Sequence, residues 1–149
     1  MTVGVYLQQD DINGGTPVRV MCTKITPSIK VNNVKTPNSN IGELVEVQTN
    51  SFENPKYLCN GIKYTTGTDI LTWEDVLTLA QLKYDGTNAA TLTVTHKDYN
   101  GNEVVLPSLS GATSGIKVLL DETPSINIDV ADSRDGYLPT GNLIFIETK

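Results

Sequence analysis

The sequence is poor in the residues on which most chemistry depends. One histidine (His96), two cysteines (Cys22 and Cys59) and one tryptophan (Trp73) are spread through 149 residues. The cysteines form no C-x-x-C pair and have no histidines at metal-ligand spacing, which excludes the usual zinc sites. Two reduced core thiols or a Cys22–Cys59 disulfide, within a chain or between neighbouring subunits, both remain open. His96 has Asp98 two residues on, but no nucleophile motif such as G-x-S-x-G accompanies them. Basic residues are scarce too. Arginine occurs only at Arg19 and Arg134, and 11 Lys and Arg face 17 Asp and Glu, a net charge of −6. A chain without a Lys/Arg cluster has no means of gripping phosphates, so specific DNA binding is excluded. Gly14-Gly15 and the spacing around Gly111 and Gly115 fit neither G-x-G-x-x-G nor a P-loop. There is no run of 18 apolar residues, no leader pattern and no lipidation signature, so a soluble, leaderless protein without membrane insertion is expected. Neither a cofactor nor an enzymatic activity is expected.

What is present describes architecture. A hydrophobic share of 38% with 19% charged residues fits a folded domain. One domain spanning 1–149 can bury roughly two-thirds of its unfolded surface. Threonine (19) and asparagine (13) dominate the polar set, the first suited to strand faces and the second to turns. Apolar segments of strand length recur at 3–7, 18–25, 44–49, 57–64, 90–96, 103–106, 116–120, 126–130 and 143–147, most of them ending at Gly, Pro, Asn or Asp. In Thr91 to His96 the threonines alternate with Leu92, Val94 and His96, which predicts a half-buried antiparallel strand with a wet hydroxyl face. Asn60-Gly61 predicts a two-residue hairpin turn, and Asp98 to Asn102 a second hairpin leading into Glu103 to Leu106. One segment has helical spacing. Trp73, Val76, Leu77 and Ala80 lie at i, i+3, i+4 and i+7, with Thr72 and Asp75 as a capping box and Lys83 at the far end. The fold class expected is mainly β: two packed antiparallel sheets, sandwich or barrel-like, with one amphipathic helix at about 72–83.

The stretch 24–42, with Pro27, Pro37 and Asn38-Ser39-Asn40, has the weakest core signal, although Ile29 to Val31 and Val34 allow short edge pairing. Residues 1–40 carry a net charge of +2 and residues 41–149 one of −8. A mildly basic extended arm on an acidic body is what one subunit offers another in a homomeric assembly; a solvated loop is the alternative. Near the end, Asp129, Asp132 and Asp135 invite comparison with a calcium loop. The EF-hand spacing fails at its first ligand, leaving either a bent loop around a cation or a solvated acidic turn.

The order of these elements resembles tail tube proteins of tailed viruses of bacteria and archaea. The resemblance is carried by the helix Thr72 to Lys83 after the early strands and before the threonine hairpin, and by the arm 24–42. The stretches Tyr84 to Val94 and Gly136 to Thr148 are also similar to virion-protein sequence. It covers most of the chain as an order of elements. It implies two packed sheets flanked by a short helix, with an arm that reaches a neighbouring ring. The assembly implied is stacked, hexameric rings around a channel through which viral DNA passes without specific binding. Its partners are copies of itself and other tail proteins, and its place is the virion tail, after synthesis in the host cytoplasm. An acidic lumen would then draw on Glu43, Glu46, Asp69, Asp98, Glu103, Asp129 and Asp132. The inter-ring arm would draw on Lys30, Asn32, Asn33, Lys35, Asn38 and Asn40. Two other readings compete: a monomeric β-sandwich module that decorates a capsid or baseplate or binds a receptor or glycan, and, more remotely, a small hydrolase or isomerase.

Overall fold

The computed structural model describes residues 3–36, 46–82, 89–129 and 138–149. It is mainly β, with two antiparallel sheets and one short helix. The strands are β1 (Gly4–Gln8), β2 (Val18–Val20), β3 (Lys24–Ser28), β4 (Val31–Thr36), β5 (Glu46–Phe52), β6 (Lys56–Lys63), β7 (Ala90–Lys97), β8 (Glu103–Val105), β9 (Ile116–Asp121) and β10 (Thr140–Glu147); the helix α1 is Trp73–Gln81. The larger sheet runs β2-β1-β7-β9-β10-β6-β3, with β8 also on β7, and the smaller is β4-β5.

Chain connectivity forces the larger sheet to coil. β2 and β3 lie at opposite ends of the strand order, yet only Met21, Cys22 and Thr23 separate them. Six strand spacings would hold the ends about 29 Å apart in a flat sheet. Four Cα steps reach no more than about 15 Å. The sheet therefore wraps until its edges approach, and the corner docks on β6: Thr23 N–H donates to the Asn60 carbonyl (3.0 Å) and Lys63 N–H to that of Met21 (2.8 Å). No ladder joins β2 to β3, so the barrel stays open. Its inside is solid. Leu7, Leu92, Ile116, Leu143 and Phe145 are each no more than 1% exposed. Alternate residues of β1 and β10, and of β7 as far as Val94, point into this core, as period-two patterning requires.

α1 begins where the capping box predicts. Asp75 N–H donates to the Thr72 hydroxyl and Thr72 N–H to the Asp75 carboxylate. The buried stripe differs from the expected one. Val76 and Leu79 are buried and Leu82 packs on the core, whereas Leu77 and Ala80 face out. Both stripes suit a short amphipathic helix, and Leu79 with the C-cap Leu82 offers more apolar surface than Ala80 does. Trp73 meets Tyr64 edge-on, with ring centroids 5.7 Å apart. Lys83 lies outside the described residues.

Four further expectations are corrected. Asn60-Gly61 is not a turn but the interior of β6. Gly61 uses its positive φ of 65° where the strand meets the corner, against the Thr23 side chain, and its N–H donates to Asn142. The segment 18–25 is two strands, because Cys22 N–H turns back onto the Val20 carbonyl and the chain crosses from one sheet edge to the other. In β7 the alternation ends at Val94: Thr95 is buried between Gly4 of β1 and Val105 of β8, and His96 is exposed. Within 126–130 the described residues make one bridge, Asn127 to Thr140, rather than a strand. The hairpin at Asp98 to Asn102 forms as predicted, with Gly101 at φ 82°.

Candidate functional site

Of the stretch 24–42, residues 31–36 form β4, one strand of a two-stranded ribbon with β5. β3 pairs with β6 up to Ser28 opposite Lys56, Glu53 N–H then donates to the Lys30 carbonyl (2.8 Å), and β4 continues against β5 from Val31 opposite Phe52 to Thr36 opposite Glu46. Residues 24–36 and 46–63 thus run antiparallel as one long ribbon whose root belongs to the coiled sheet and whose outer part leaves it. Pro27 is tolerated because β3 is an edge strand. The register shifts between Asn32 and Asn33, leaving Asn50 as a bulge that increases the local twist. Counting from Val31, the outer part reaches roughly 17 Å before residue 37.

β4 and β5 pair with no other strand among the described residues. Of the exposed large apolar side chains, five lie on this ribbon: Ile29, Val31, Val34, Val47 and Phe52, all 46–54% exposed. Val31, Phe52 and Val47 share one face by register, and Val34 takes the other. A lone two-stranded ribbon is marginal in water. Its apolar residues are exposed on both faces. Polar residues supply cross-strand support rather than burial: the Asn32 amide donates to the Ser51 hydroxyl (3.2 Å). Lys30 and Glu53 approach to 3.8 Å, but both are more than half exposed and the pair contributes little.

The root is held firmly. Glu147, buried at the end of β10, accepts the Tyr57 hydroxyl (2.9 Å) and the Leu109 N–H (3.0 Å). Its backbone carbonyl accepts the Asn54 amide (2.9 Å), and its N–H donates to the Pro55 carbonyl (2.9 Å). Burial and the neighbouring carboxylate push the Tyr57 phenol well above its ordinary range. Lys56 adds an ion pair to Asp121 at 2.8 Å. Beside the root lies an open apolar groove of about 280 Å³, lined by Pro27, Ile29, Pro55, Leu106, Pro107 and Leu109.

No family model, curated protein or solved structure matches this chain.

Of the arm candidates, Lys30 sits at the joint, Asn32, Asn33 and Lys35 lie in β4, and Asn38 and Asn40 are outside the described residues. The acidic candidates do not form one group. Asp98 and Glu103 share the β7–β8 hairpin, where the Asp98 carboxylate accepts the N–H groups of Asn100 and Asn102 (both 2.9 Å). Asp69 precedes α1, has φ 61° and accepts the Asn13 amide (2.6 Å). Glu46 opens β5 and Asp129 is exposed, while Glu43, Asp132 and Asp135 lie outside the described residues. His96 contacts the Lys97 carbonyl through Nδ1 (3.3 Å). Among the described residues no three His, Cys, Asp or Glu side chains are grouped to hold a metal, and no helix is long and apolar enough to cross a membrane. The sequence analysis gave 44–49 as a strand but not as part of the ribbon, and missed the groove and Glu147. The available signal was Phe52, one of two phenylalanines in the chain, standing in the polar run Gln48 to Asn54.

Proposed function

We propose that this chain is a structural subunit of a homomeric tube, stacked from rings, that conducts viral DNA. The observation that carries the reading is the β4–β5 ribbon. It leaves the sheet, has apolar residues on both faces and pairs with no other strand among the described residues. Such an element is stable when a neighbouring subunit covers it. Two more features support the reading. The coiled sheet is packed solid, so a channel wide enough for DNA has to lie between subunits. A net negative wall also lets a polyanion slide past without binding.

The groove beside the root favours the second reading, a monomeric binding module that takes a ligand there. Light scattering over a concentration series separates them. The tube subunit gains mass as concentration rises, in steps of one ring; a mass fixed at one chain throughout contradicts the tube and supports the module.

A further inference from the structure

Cys22 and Cys59 are 37 positions apart, yet the fold sets the corner that holds Cys22 against the strand that holds Cys59 at the root of the ribbon. Cys59 faces the core from β6, and the corner 21–23 docks on the same strand through Thr23 and Asn60. Both thiols are free, and the hydrogen bond from the Thr23 N–H to the Asn60 carbonyl (3.0 Å) lies one residue beyond each of them. Their surroundings differ. Cys59 is fully buried, whereas Cys22 is partly exposed and lines an open cavity of about 260 Å³ beside Arg19, Lys24 and Thr95.

We propose that Cys22 and Cys59 are a redox-active pair that a low-molecular-weight disulfide such as oxidised glutathione converts into an intramolecular disulfide, stapling the root of the ribbon. Cys22 is the attacking thiol and Cys59 the resolving one. The Cys59 hydrogen bond, the backbone N–H groups of Cys22 and Lys24 and the Arg19 charge pull Cys22 down to about 7, against burial. The same contact and burial push Cys59 far upward. Thiolate character with access is what selects a thiol for exchange. In the first step the Cys22 thiolate attacks one sulfur of oxidised glutathione, forming a Cys22–glutathione mixed disulfide and releasing a glutathione thiolate. In the second, the Cys59 sulfur attacks Cys22, gives up its proton and expels the second glutathione. Two cysteine thiols lose two electrons and two protons, and one glutathione disulfide becomes two glutathione thiols. Arg19 and Lys24 at the cavity attract the oxidant's carboxylates. The new bond encloses residues 23–58, the entire outer ribbon, and so ties its root to the corner that joins the sheet's two edges.

The test incubates the folded, reduced chain with oxidised glutathione, blocks remaining thiols and measures intact mass, peptide map and melting temperature. Expected are the loss of two hydrogens, a Cys22–Cys59 cross-linked peptide, a single-chain species on a non-reducing gel and a melting temperature raised by roughly 5 °C or more. Cys59→Ala should instead retain one glutathione on Cys22, and Cys22→Ala should take up none. Three results overturn the proposal: both thiols still open to blocking in the unfolded, quenched sample after excess oxidant, a wild-type adduct that never resolves, or a cross-link between two chains. The wild-type peptide map decides even if Cys59→Ala fails to fold.

Discussion

Glu147 shows how one buried carboxylate can hold an element that lies mostly outside the core. It joins β10 to ribbon residues 54, 55 and 57 and to the loop at Leu109. Glu147→Ala strands the Tyr57 hydroxyl and the Leu109 N–H, and should cost about 2–3 kcal/mol in urea unfolding; Tyr57→Phe should cost about 1 kcal/mol. Alkali probes the same residues. The phenols of Tyr57, raised by burial and the Glu147 carboxylate, and Tyr64, raised to about 12 by burial and Cys59, keep their protons in the fold at a pH where free tyrosine loses them. The unfolded state then binds fewer protons than the native one. Stability is accordingly unaffected by these two groups below about pH 10 and falls above it, by up to about 1.4 kcal/mol per pH unit for each. Unfolding free energies measured between pH 9 and 11 should show this slope, and the double variant Tyr57→Phe, Tyr64→Phe should flatten it. Residues with local roles were readable in the sequence. Thr72 and Asp75 cap α1 within three positions of each other. Asn60-Gly61 misled because the same dipeptide that makes a turn also makes a bulge, and what decides is Thr23 and Asn142, both distant in sequence.

At the scale of elements, strands that face the core were legible because their alternation records burial: β1, β7, β9 and β10 stand within a residue or a few of their apolar segments. β5 was legible only at its start. A ribbon without a core face has no apolar period to read, and Gln48, Asn50 and Ser51 look like loop residues until they are paired. The corner at Cys22 was hidden for a different reason: a coil is a property of strand order, which no single segment encodes. Because the ribbon contributes little to the core, it should be dispensable for folding. Glu53 N–H already bonds the Lys30 carbonyl, so replacing residues 31–52 by Asn-Gly closes the hairpin with a two-residue turn. The shortened chain should melt within about 3 °C of the full one by circular dichroism, a small change on the scale of roughly 2–4 °C per kcal/mol for a domain of this size. A loss of cooperative melting would show instead that the ribbon is part of the folding unit.

For the whole molecule, an eight-stranded coil with a filled interior, a ribbon with exposed apolar residues and a net charge of −6 fit the proposed subunit, whose stability would be its own and whose assembly would depend on the ribbon. On the proposed reading, copies meet through the edge strands within a ring and through the ribbon between rings. The chain lengths on either side of the ribbon do not matter to this account; its apolar faces do. Negative-stain electron microscopy of the full chain beside the Asn-Gly variant tests it most directly. The account predicts hollow tubes or stacked rings of the full chain at high concentration, and single rings without stacking for the variant. Particles of one-chain size for the full protein at every concentration would contradict it.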